Sequence, residues 1–69
     1  MTAEEMAIAH EIAREFHESY ERLAPQYGYE TREESAVPWS EVPDDNKLLM
    51  IGVIADLLDK GVIRQGVTI

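Results

Sequence analysis

Residues 2–25 read TAEEMAIAHEIAREFHESYERLAP, and this stretch decides the fold. Thr2 stands three positions before Glu5, the spacing of a capping box, and Glu4 adds negative charge near the positive end of a helix dipole. Ile8, Ala9, Ile12, Ala13, Phe16, Tyr20 and Leu23 then recur at three- and four-residue steps and define one apolar stripe. The opposite face carries Glu11, Arg14, Glu15, Glu18, Glu21 and Arg22. Glu18 and Arg22 make a favourable pair at helical spacing, whereas Glu11 and Glu15 repel. Pro25 donates no amide hydrogen and disfavours helix at the residue before it, so the helix should end near Ala24. An amphipathic helix over about 3–24 is predicted.

Working outward, a second helix is expected over about 43–60. Pro43 suits a first helical position, Asp44 and Asp45 complement the dipole, and Gly61 follows Lys60 as a stop. Leu48, Leu49, Met50, Ile51, Val53, Ile54, Leu57 and Leu58 leave little of that helix polar, and such a helix wants cover on two sides. Between the helices lie Tyr27, Gly28, Tyr29, Pro38 and Trp39, and three of the chain's five aromatics fall here. A connection so long in a small domain should be packed by its own aromatics and pinned by Trp39. The tail, Val62 to Ile69, is rich in β-branched residues and reads as a short extended segment lying on the second helix or on another chain. The predicted fold is mainly α: one domain over 1–69, two helices around an aromatic loop, and an extended C-terminal tail. Excess apolar surface on the second helix predicts a homodimer through Met50, Val53 and Leu57, extended by Val67–Ile69, with Gly52 and Ala55 allowing close approach.

Composition excludes several functions. Fourteen acidic residues against six basic ones give a net charge of −8, the wrong sign for neutralising phosphates, so no nucleic-acid partner is expected. No cysteine is present, so neither disulfides nor thiolate metal sites can form. The longest apolar run, Leu48 to Ala55, is far shorter than the roughly 20 residues of a membrane span, and the N-terminus lacks the pattern of a secretory leader. These features predict a cytoplasmic protein without a membrane partner.

The search for chemistry returns little. His10-Glu11 and His17-Glu18 suggest a metal site, but on a helix the histidines are about 10 Å apart along the axis, too far for one zinc ion. The position four after His10 is Arg14, so the zinc-protease spacing is absent, and the two histidines are expected to be half-exposed beside the stripe, with a structural hydrogen bond from His17 into the loop as the alternative. Ser19, Ser35, Ser40, Thr31 and Thr68 stand in no glycine-flanked elbow, and the single glycines make no phosphate loop. No enzyme activity, metal or cofactor is predicted. Tyr20, Tyr27, Tyr29 and Trp39 form the candidate ligand surface, because aromatic rings beside a helix can stack on a flat ligand. The acidic surface is an alternative contact face for a basic partner.

The order Ile12-Ala13-x-x-Phe16-His17-Glu18, then Pro38-Trp39-Ser40-Glu41-Val42-Pro43, then Met50-Ile51-x-Val53 resembles the RyR domain. That is a small helical module of ryanodine receptors and of stand-alone bacterial and phage proteins, and the likeness spans about 12–58. It implies a non-catalytic accessory module that binds a small, nucleotide-like ligand, with His17, Glu18 and Trp39 at matching positions and Tyr20 and Tyr29 beside them. An anionic ligand would need Arg14, Arg22 or Arg32 to gather locally. The alternatives are an acidic inhibitor or adaptor that occupies a host protein's basic site, and a self-associating structural helix pair.

Overall fold

The computed structural model describes residues 2–30 and 36–64. Helix α1 runs Ala3–Leu23 and starts with the predicted box. The Thr2 hydroxyl accepts from the Glu5 amide at 3.1 Å, and the Glu5 carboxylate accepts from the Thr2 amide at 3.0 Å. The α-helix ends at Leu23 with Ala24 as its cap, as Pro25 predicts, and the backbone then tightens into a 3-10 turn over Ala24–Tyr27, with Pro25 in its first turn, where no amide bond is lost. Gly28 ends this turn at φ 72°, a left-handed conformation that favours glycine, and the Tyr29 amide returns to the Ala24 carbonyl at 2.9 Å.

Helix α2 spans Asp44–Asp59, one residue inside each expected bound, because Pro43 caps it from an extended conformation rather than joining it. Its far end closes as a Schellman motif. The Gly61 amide bonds the Leu58 carbonyl at 3.1 Å, and the Val62 amide bonds the Leu57 carbonyl at 3.0 Å, with Gly61 at φ 74°. Ile63 then folds back against the core. The chain therefore turns where an extended tail was expected to begin, and Val67–Ile69 lie outside the described residues.

The helices run in opposite directions: Glu5, near the start of α1, shares a hollow with Asp56 and Asp59, near the end of α2. Ala9 and Ala13 of α1 are wholly buried against Ile51, Ile54 and Ala55 of α2, and Trp39 and Val42, from a second 3-10 turn at Trp39–Glu41 and its cap, close the same core. Alanines at the contact let the two backbones approach. The buried line Ala9, Ala13, His17 advances by four residues, and each such step drifts about 40° round the helix. It thus leaves the predicted stripe, and Phe16, Tyr20 and Leu23 stay on the surface. Helix α1, at 21 residues, is roughly 31 Å long against roughly 24 Å for the 16 residues of α2, so part of the stripe has no helix to cover it.

The expected outer face of α2 also needs correcting. Met50 packs on the core and Leu57 is half-buried, whereas Leu48 is 68% exposed, Leu49 66% and Val53 49%. A helix with one neighbour turns its least crowded side outward, and here that side holds Leu48, Leu49 and Val53.

Candidate functional site

Trp39 sits between three side chains. His10 meets its ring edge-on at 5.7 Å, His17 lies tilted against it at 5.8 Å, and the Lys47 ammonium stands 5.6 Å from the ring centroid. His17 is only 3% exposed, contrary to the half-exposed position expected, and its Nε2 lies 2.8 Å from the Val37 carbonyl. A carbonyl only accepts, so Nε2 carries the proton and donates it. His17 thus ties α1 to the connection, and Trp39, 6% exposed, fills the space beside it. Both have their chemistry committed to the fold.

The other aromatics do not pack inward. Tyr27 is 83% exposed and Tyr29 58%, which corrects the expectation of a loop held down by its own rings. Instead they join the uncovered end of the α1 stripe. Phe16 stacks on Tyr20 at 6.0 Å, and Tyr20 meets Tyr29 edge-on at 6.3 Å. With Leu23 and Tyr27 these rings surround a hollow of about 350 Å³. Partial desolvation among its neighbours raises the Tyr20 hydroxyl above the ordinary tyrosine value, helped by Tyr29 and by the charge of Glu21. Tyr29 also borders an adjoining hollow that holds Glu18, Glu21 and Glu30. An apolar cup therefore stands next to an acidic one, joined by a single tyrosine.

Of the residues expected at the site, Tyr20, Tyr27 and Tyr29 come together at the cup and Glu18 lies in the hollow beside it. His17 also reaches that second hollow, but with its Nε2 engaged, and Trp39 lines neither. Phe16 and Leu23 belong to the cup and were assigned to the core instead. Their neighbours Ala9 and Ala13 held the clue, since a line of small residues is where another helix settles closest. Arg14 reaches Glu11, Glu15 at 3.1 Å and Glu18 at 3.0 Å, so Glu18 pairs with Arg14 and not with Arg22 as expected. The guanidinium beside Glu11 holds that carboxyl below its ordinary value. Arg14 is thereby saturated with carboxylates, and Arg32 lies outside the described residues.

Among the described residues no group of three histidine or carboxylate side chains is placed to hold a metal ion, and no helix is long and apolar enough to cross a membrane. Compared with known proteins, the chain matches no family model, no curated sequence and no solved structure.

Proposed function

We propose that this chain is a small non-catalytic binding module whose working surface is the aromatic cup formed by Phe16, Tyr20, Leu23, Tyr27 and Tyr29. The observation that carries the reading is contiguity: five large apolar side chains stand exposed around one hollow. Exposed apolar patches that persist on a soluble surface mark contact sites. The favoured occupant is a segment of a partner protein with an apolar anchor flanked by lysine or arginine. Aromatic faces attract such cations, Glu18, Glu21 and Glu30 line the next hollow, and the chain as a whole carries −8. This is the adaptor or inhibitor role of an accessory protein of phage or bacterial type.

A second reading, a flat small molecule as the RyR-like resemblance implies, is favoured by size, because about 350 Å³ falls at the small end of ordinary ligand pockets. A nucleotide phosphate would face carboxylates there, so an uncharged or cationic aromatic fits better. The test is an NMR titration of the labelled chain with two synthetic peptides sharing one Leu/Trp anchor, one flanked by lysines and the other by glutamates. Shifts confined to the cup, produced by the lysine peptide, reduced by salt and lost in Tyr29→Ser, are expected. Equal shifts with both peptides, or none with either, would overturn the partner reading. A free aromatic amine that shifts the same resonances when the lysine peptide does not would select the second.

A further inference from the structure

We infer that the outer face of α2 is a contact between two copies of this chain, paired antiparallel about a two-fold axis that passes between Gly52 and Val53. At 100° per residue, Asp45, Leu49, Gly52, Val53, Asp56 and Lys60 fall within an arc of about 100°, and all six are exposed. None of them lines the aromatic cup, so this surface is separate from the proposed binding site.

Charge selects the occupant. The outer face begins with an acid, Asp45, and ends with a cation, Lys60, whose ammonium already meets Asp56 at 3.1 Å along the same face. A second copy laid parallel would set acid on acid and cation on cation. Laid antiparallel and centred between Gly52 and Val53, it sets Asp45 opposite the partner's Lys60 twice over, and the helix dipoles oppose as well. In the same register Val53 packs on the partner's Val53 beside the axis, the open space at Gly52 lets the two backbones approach, and Leu49 covers the stem between Asp56 and Lys60. An isologous contact of this kind uses one patch twice.

The face is narrow beside the roughly 800 Å² that a standard interface takes from each partner, so the dimer is weak, with a dissociation constant on the order of 100 µM. Such a dimer would carry two aromatic cups, and a partner bearing two anchors would gain from their linkage.

Sedimentation equilibrium of the full chain from about 10 µM to about 1 mM tests this, a range chosen to bracket that constant. The wild type is expected to move from monomer mass toward twice that mass. Leu49→Glu should remain monomeric throughout with unchanged helicity by circular dichroism. Lys60→Asp should weaken association about fivefold, and adding Asp45→Lys should restore it. Tyr27→Ser, in the cup, should leave the mass distribution alone, which separates failure here from failure of the binding-site reading. Monomer mass at every concentration overturns the inference. Dimerisation undiminished by Leu49→Glu overturns it too, and a charge swap that restores nothing overturns the register.

Discussion

Replacing Trp39 tests the centre of the fold. The ring is 6% exposed and packs with Ala9, Ala13, Val42 and Ile51, with two imidazoles at its edges. Truncating such a ring to alanine costs about 3–5 kcal/mol, which is about as much as a core this small supplies in total. Trp39→Ala should therefore show no cooperative unfolding at all. Trp39→Phe gives a graded measurement. It keeps one ring and empties the space of the other, a loss of about 1–2 kcal/mol at ordinary transfer values. With a denaturant slope near 1 kcal/mol per molar urea for a domain of this size, the midpoint should fall by about 1–2 M. Far-ultraviolet circular dichroism is the right assay, since removing the single tryptophan also removes the fluorescent reporter. A Trp39→Ala chain that unfolds cooperatively at the wild-type midpoint would refute the reasoning, because the ring would then contribute nothing to the core.

The two histidines should separate cleanly in the same assay: His17→Ala removes a buried ring and its bond to Val37 and should cost about 2–3 kcal/mol, His10→Ala less than about 1. Two glycines should move stability in opposite directions. Gly28→Ala meets open space but is strained by φ 72° and should lose about 1 kcal/mol. Gly52→Ala lies mid-helix and exposed, and should gain about 0.5–1 kcal/mol when measured on dilute monomer. Thr2→Ala breaks the capping box and should cost about 1 kcal/mol in thermal unfolding. Glu5, bonded to the Thr2 amide, and Glu11, bonded to Arg14, both have their pKa lowered by folding. Their contribution is complete above the ordinary glutamate value and is lost as pH falls through it toward the folded value, so unfolding midpoints should drop there, less steeply in Thr2→Ala.

Local chemistry was legible in the sequence. The capping box, Gly28 and Gly61 depend on hydrogen bonds between residues a few positions apart, and each stands where its neighbours demand. Trp39 as the pin was legible because a lone large ring between two helices has nowhere else to go. The period of the α1 stripe was equally plain, but how much of it would be covered was not, because that depends on the length and lie of α2. Phe16 and Leu23 are as apolar as Ile8 and Ile12; only the partner's reach separates them. His17 was misplaced for a related reason: at the end of the Ala9–Ala13 line it follows the contact inward, while its side-chain type suggests the surface. The aromatic cup was partly visible, through Tyr20, Tyr27 and Tyr29, whereas Phe16 and Leu23 were hidden inside the supposed core stripe.

The place of Trp39 along the chain also governs how fast the molecule can assemble. Ala9 and Ile51 share one core although they are 42 positions apart, so the helical pair cannot form from neighbouring segments. Shutting that long excursion in one event fixes its ends before any contact rewards it, and the entropy lost grows by about 0.6 kcal/mol for each doubling of the span. Docking Trp39 and Val37 against His17, only 20 positions before Val37, divides the search into a first closure of about half the length and a short second one that swings α2 home. Substitutions at His17 or Trp39 should accordingly slow refolding, whereas those at the outer face of α2 should act mainly on unfolding.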